Sequence, residues 1–221
     1  MKTRELYDLS RSLCGEKLAE CEYPWEALPK IGEWIVEIGK TLSCERFEKR
    51  GEDIWIAKSA KVDKTAHIDG PCIIDEEAEV RHCAFIRGNA MVGKGAVVGN
   101  STELKNCILF DKVQVPHYNY VGDSVLGYCA HLGAGAVTSN VKSDKTPVVV
   151  RGIGQTYETN RKKCGAMLGD CAEIGCNSVL NPGTVIGKDA TVYPTSCVRG
   201  TVPSAHIYKD AQHIVPKRSD A

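Results

Sequence analysis

Large aromatic side chains are scarce in this chain: only 6% of its 221 residues are Phe, Trp or Tyr. A core built around a few large rings is therefore excluded, and aliphatic side chains must fill the interior. No apolar run reaches the roughly 18 residues of a membrane-spanning helix, and no signal-peptide apolar stretch is present, which predicts a soluble, cytosolic chain. An excess of one charge is also lacking. The 28 basic and 28 acidic side chains cancel, so no global field selects nucleic acid or an anionic membrane. Eleven cysteines are present without any C-x-x-C pair, and several occupy slots otherwise held by small residues. That predicts reduced, mostly structural thiols instead of disulfides or zinc ligands.

What the chain does have is a period of six. Ile56, Val62, Ile68, Ile74, Val80, Ile86, Val92, Val98 and Leu104 open successive hexads. The run resumes one residue early at Leu109, Val115 and Val121, early again at Leu126 and Leu132, and restarts at Leu168, Ile174, Leu180, Ile186, Val192 and Val198. The fifth position is an independent check. It is small or Val in every hexad except those holding Ile108 and Asn119. Such self-similarity is the signature of a β-helix built from hexapeptides, in which three hexads close a triangular coil and coils stack at strand spacing, roughly 4.8 Å. Gly at the second position, as in Gly93, Gly99, Gly133, Gly175 and Gly187, is expected to supply backbone freedom beside the turn.

The repeat divides the chain. Residues 1–50 carry helical spacing at Leu6, Leu9 and Leu13, and again at Trp25, Leu28, Ile31, Trp34, Ile35 and Ile38; they are expected to cap the first coil, whose open strand edge needs cover. Residues 51–203 form the solenoid, and 204–221 read as a C-terminal tail. From Ser139 to Gly165 no hexad fits. The sequence there predicts a hairpin turning at Gly152 and Gly154, made basic by Lys142, Lys145, Arg151, Arg161, Lys162 and Lys163. Excursions from a rigid solenoid tend to carry function, and this one is expected to close over an anionic ligand.

Stacking arithmetic supplies a candidate site. Arg87 and Lys105 are second residues of hexads three apart, so they stack one coil apart on one face. Two cations roughly 5 Å apart repel unless an anion bridges them, and phosphate suits that role. Asp69, one coil earlier in the same column, is the competing partner for Arg87.

Several stretches together resemble a known family: Ile86-Arg87-Gly88, Gly99-Asn100-Ser101-Thr102-Glu103-Leu104-Lys105, His117-Tyr118-Asn119-Tyr120-Val121-Gly122-Asp123 and Leu132-Gly133-Ala134-Gly135. They look like the acetyltransferase half of bifunctional N-acetylglucosamine-1-phosphate uridyltransferase/glucosamine-1-phosphate acetyltransferase, over roughly residues 55–202. The resemblance implies a left-handed parallel β-helix, an exception to the usual right-handed crossover, and a homotrimer with sites between subunits. It implies acetyl-CoA as the acyl donor and an amino-sugar phosphate as acceptor, on the way to UDP-N-acetylglucosamine. His117 would be the general base. Arg87, Lys105 and Tyr120 would hold the sugar phosphate with Asn140 and a lysine of the following loop, Lys142 or Lys145. Ala134, Cys176, Pro194 and Lys209 would stand on the coenzyme side.

The chain departs from that family at His131, where an asparagine contacts substrate, and at Cys176, where a serine stands. The family's nucleotide-binding half has no counterpart in residues 1–50, so the chain is not expected to make a nucleotide sugar by itself. A second reading is therefore a non-catalytic β-helix serving a separate sugar nucleotidyltransferase. A third follows from hexapeptide-repeat carbonic anhydrases, which bind zinc through histidines; His82 and His117 share a column, but the closely following third histidine is missing.

Overall fold

The computed structural model describes residues 1–218. It is a left-handed parallel β-helix of triangular coils. Face one is made by His67–Asp69, Phe85–Arg87, the first half of Glu103–Leu109, the first half of Tyr120–Leu126, Val137–Thr138, Val179–Leu180 and Cys197–Val198. Face two carries Ile54–Ala57, Cys72–Ile74, Ala90–Val92, the second halves of the same two long strands, Ala166–Leu168, Thr184–Ile186 and Thr201–Val202. Face three runs from Lys61–Val62 through Val97–Asn100, Gln114–His117 and His131–Leu132 to Thr191–Val192 and His206–Asp210.

The hexad-opening aliphatics fill the prism. All are at most 2% exposed except Val62 and Ile68, which lie in the first coils. Where the repeat is a residue short, one seven-residue strand runs through the corner between faces one and two: Glu103–Leu109 bends at Asn106 and Tyr120–Leu126 at Asp123, both with positive φ. This accounts for Ile108. The shortened hexad moves it into the outward slot immediately before the next prism aliphatic, where it joins an outward column of Trp55, Ile73, Met91, Ile108, Val125, Met167 and Val185.

That column decides where the N-terminal segment goes. Every member is apolar and buried, and the segment lies along face two to cover it instead of sitting over the end of the coil. The helix Ile31–Thr41 buries Ile31, Trp34 and Ile35 against the solenoid, with Gly39 seated on the Trp55 ring. Residues 24–27 form a 3-10 turn, and the first leucines fall on short turns instead of one helix. Burying an apolar stripe is worth about 25 cal/mol per Å², and a strand edge offers no such area. The open edges are closed another way: Phe47–Gly51 returns antiparallel on Ile54–Ala57, and at the other end His213–Pro216 returns antiparallel on His206–Asp210. Residues 204–218, expected as a tail, thus include the last hairpin; positions 219–221 lie outside the described residues.

The second-position glycines have a different cause from the one expected. Gly93, Gly99, Gly133, Gly175 and Gly187 are not in the left-handed region; a Cβ on any of them would strike backbone of the adjoining coil at 1.6 to 2.7 Å. They let coils approach closely.

The excursion is a hairpin, Val149–Arg151 against Thr156–Glu158, turning through Gly152 and Gly154. Its root is packed: Val148 and Val150 are fully buried, and Tyr157 meets Tyr23 and Trp25 at ring distances of 4.9 and 5.7 Å. At the tip Ile153 is 72% exposed, and most polar residues of the excursion face solvent.

Candidate active site

Two ladders of side chains run along the edges of face one. Along the corner between faces three and one, successive coils are tied by identical backbone bonds: Tyr118 N donates to Asn100 O, Gly135 N to His117 O, Asn177 N to Ala134 O and Thr195 N to Cys176 O, all at 2.8 to 3.0 Å. The ladder they define reads Asn100, His117, Ala134, Cys176, Pro194. It brings the expected base and three of the four residues expected on the coenzyme side into one file. Lys209 lies a coil further on and one residue out of register, beside Tyr193.

Along the corner between faces one and two, the register Asp69–Arg87, Lys105–Gly122 and Thr138–Leu180–Val198, extended by one residue, gives Asp69, Arg87, Lys105, Gly122, Ser139, Asn181 and Arg199. Arg87 and Lys105 stack one coil apart, as their spacing predicts. Arg87 is neutralised by Glu103, whose Oε1 accepts from Nη1 at 2.7 Å, and not by Asp69, which pairs with His67 at 3.0 Å. Glu103 reaches it because it stands two residues earlier on the next coil, opposite Phe85.

Lys105 has no carboxylate within 4 Å among the described residues. Its neighbour is Lys163, brought there because the excursion rejoins the coil through Val141 opposite Lys163 and Gly165 N donating to Asp123 O. The Lys163 ammonium, followed by partial burial, holds the Lys105 pKa below its ordinary value. A second ammonium costs more the less water screens it, so the pair favours an anion between them. Sequence reading lists Lys163 among the basic residues of the excursion but does not single it out. Its lead was the short return from Lys163 to the resumed repeat at Leu168.

Between the ladders lies Tyr120, half-buried, with burial raising its hydroxyl pKa so that it stays protonated. Asn140 Nδ2 donates to Tyr120 Oη at 3.2 Å and to Asp123 Oδ2 at 2.6 Å, and Asn106 Nδ2 donates to Asp123 Oδ1 at 2.8 Å. Asp123, 3% exposed, thus fixes Asn140 beside Tyr120. Lys142 is directed elsewhere, to Asp144 and Thr146, and Lys145 is exposed.

His117 is exposed, and its ring makes no hydrogen bond among the described residues; only its backbone N–H is engaged, donating to Asn119 Oδ1 at 3.1 Å. Asn119 is the second exception to the small fifth position, and its reason is visible. Buried at 2% exposure, it donates from Nδ2 to Gly133 O at 2.8 Å and Ala136 O at 3.0 Å. It therefore locks the turn bearing Ala134 to the corner bearing His117. The Ala134 amide itself donates no hydrogen bond among the described residues and can receive a carbonyl oxygen. His131 Nδ1 lies 2.8 Å from Glu173 Oε2 on face three. Among the described residues, no three His, Cys, Asp or Glu side chains gather as a metal site.

The chain is similar to known proteins over much of its length. Residues 68–152 match the family model described as GMPPB C-terminal domain. The chain is 29% identical over 179 residues to the bifunctional protein GlmU of Methanococcus maripaludis, covering 72% of this chain and 43% of that protein. It is 29% identical over 198 residues to a bifunctional sugar-1-phosphate nucleotidylyltransferase/acetyltransferase of Sulfurisphaera tokodaii, covering 80% and 49%. A putative acetyltransferase of Escherichia coli, YaiX, is 29% identical over 177 residues, covering 72% and 76%. The chain thus spans about half the length of the two bifunctional relatives.

Proposed function

We propose that this chain, whose coils are a hexapeptide-repeat module of the acetyltransferase type, transfers an acetyl group from acetyl-CoA to the amine of a sugar phosphate resembling glucosamine-1-phosphate. The observation that carries the reading is the pair of ladders on face one. One holds a histidine next to an unoccupied amide, and the other holds cations suited to a phosphate.

In this reading the sugar amine sits at His117 and its phosphate at Lys105 and Lys163, with Arg87 shared between phosphate and Glu103. His117 takes a proton from the attacking amine. The nitrogen bonds to the thioester carbonyl carbon, negative charge on the carbonyl oxygen is met by the Ala134 N–H, and the C–S bond breaks to release the coenzyme thiolate, which is then protonated. Tyr120 and Asn140 position the sugar phosphate. Acetyl-CoA approaches along Ala134, Cys176 and Pro194.

Release of free thiol from acetyl-CoA, followed across a panel of amino sugars and their 1-phosphates, tests the activity. Lys105→Ala should raise KM for the phosphorylated acceptor by about 10-fold with little change in kcat, since a cation binding phosphate equally in ground and transition states acts on KM. A fall in kcat alone would place Lys105 in the chemistry instead.

The outward column of face one, Phe85, Tyr120, Val137, Val179 and Cys197 around Glu103, is largely apolar and partly exposed. It suits burial against further copies of the chain, so a homotrimer sharing its sites is expected. Sedimentation at micromolar concentration should report three chain masses; a monomer would remove the shared site.

A further inference from the structure

Most of the eleven cysteines are placed as structural thiols. Cys14, Cys21, Cys72, Cys107 and Cys164 are buried, and burial pushes Cys14 up to about 11 and Cys72 up to about 12. Four others are exposed: Cys44, Cys83, Cys176 and Cys197. Among the described residues, Cys83 is the one exposed thiol with an imidazole in hydrogen-bond reach, His82 Nε2 standing 3.3 Å from its Sγ. The repeat accounts for what surrounds the pair. Thr65 and Cys83 are fourth residues of hexads three apart, so they stack one coil apart, with Asp63 two residues before Thr65.

The hydrogen bonds fix which way the protons point. Asp63 is an ionised acceptor, its carboxyl held below the ordinary range by the hydroxyl and the backbone N–H of Thr65. The Thr65 hydroxyl gives its single proton to Asp63 Oδ1 at 2.6 Å. Its lone pairs accept from Cys83 N at 3.0 Å and from His82 Nδ1 at 2.8 Å. Nδ1 therefore carries the imidazole proton, and Nε2, facing the thiol, is the free base. A nucleophile, a base and a group that orients the base are the signature of an activated nucleophile. His82 also lines an open groove of about 340 Å³ with Lys61, Asp63, Glu79 and Arg81, room for a small reactant beside the thiol. We propose that Cys83 is a modification site that exchanges with low-molecular-weight disulfides. The thiol proton passes to His82 Nε2, and Sγ bonds to one sulfur of the disulfide. The old S–S bond breaks, and the departing thiolate takes the proton back from Nε2. The products are a mixed disulfide on Cys83 and one free thiol. The site shares no residue with the proposed acetyl-transfer site and does not rest on that reading.

The test treats the reduced, full-length protein briefly with glutathione disulfide, quenches it in acid and follows each mixed disulfide by mass spectrometry after tryptic digestion without reductant. Cleavage after Arg81 and Arg87 isolates Cys83 in a peptide with no other cysteine, and cleavage after Lys40 and Arg46 does the same for Cys44, the exposed reference. Cys83 should react about 10- to 100-fold faster than Cys44, up to the low end of what a positioned base contributes, since water shares the exposed site. His82→Gln, verified as folded by an unchanged thermal midpoint, should bring Cys83 down to the rate of Cys44. Thr65→Val should remove most of the advantage, and Thr65→Ser, which keeps the hydroxyl, should retain it, a pattern that packing alone would not produce. Similar rates at Cys83 and Cys44 in wild type, or a fast Cys83 untouched by His82→Gln, would overturn the proposal.

Discussion

His117→Ala should lower the turnover of amino-sugar phosphate acetylation by roughly 10²- to 10⁴-fold, the usual worth of a positioned general base. The fold should survive. The ring is exposed and makes no hydrogen bond among the described residues, and the one local contact, from the His117 N–H to Asn119 Oδ1, belongs to the backbone and is kept by Ala. Stability should therefore stay within about 0.5 kcal/mol of wild type, as for other exposed substitutions. The decisive measurement is thiol release from acetyl-CoA at saturating acceptor, beside a denaturation curve of the same preparation. Release present in wild type but untouched by the substitution would remove His117 from the chemistry. Release absent with every acceptor would leave the non-catalytic reading, a β-helix serving a separate nucleotidyltransferase, as the better account.

On the proposed reading the loss is large because the backbone that carries His117 is tied to the turn that carries the Ala134 amide. Asn119 joins the His117 corner to the Ala134 turn through three hydrogen bonds, so the backbones of His117 and Ala134 are held in adjacent rungs of one ladder. Preorganisation of this kind is the largest contributor to many enzymes' rates.

Much of this geometry is legible in the sequence, because a solenoid converts spacing into proximity. Arg87 and Lys105 are predicted to stack from their hexad positions alone, and the register places them side by side. The same rule could have found the apolar column of face two. Ile73, Met91 and Val185 occupy the sixth position of hexads, a position left out when the pattern is read at positions one, two and five. The helical segment was consequently expected over the wrong surface. Glu103 and Lys163 were hidden for different reasons. Glu103 pairs with Arg87 across two residues and one coil, which requires knowing how far each side chain extends. Lys163 arrives from an excursion that has no period, so only the structure fixes where it rejoins the coil. Asn119 was visible as an anomaly, and its meaning depended on the buried carbonyls of Gly133 and Ala136 facing it.

The glycine columns support the second large effect. Gly99→Ala should destabilise the chain by about 3 kcal/mol or more, the upper end of the usual cost of overpacking, because the atoms it meets cannot yield. The added Cβ would lie 1.6 Å from Pro116 O and 2.1 Å from its carbonyl carbon. Both are backbone of the next coil, so relief requires opening the coil spacing itself. Gly154→Ala provides the comparison. Gly154 has φ +77° and nothing within 4 Å of an added Cβ, so its cost reports the left-handed backbone alone, about 1 to 2 kcal/mol. Urea unfolding of the two variants should separate the causes, with a much lower midpoint for Gly99→Ala. Because Pro116 immediately precedes His117, any surviving folded fraction of Gly99→Ala should also lose activity per folded molecule, whereas Gly154→Ala should keep it. Equal midpoints for the two variants would mean that the coils can separate locally without cost, and that close approach is not what selects glycine in these columns.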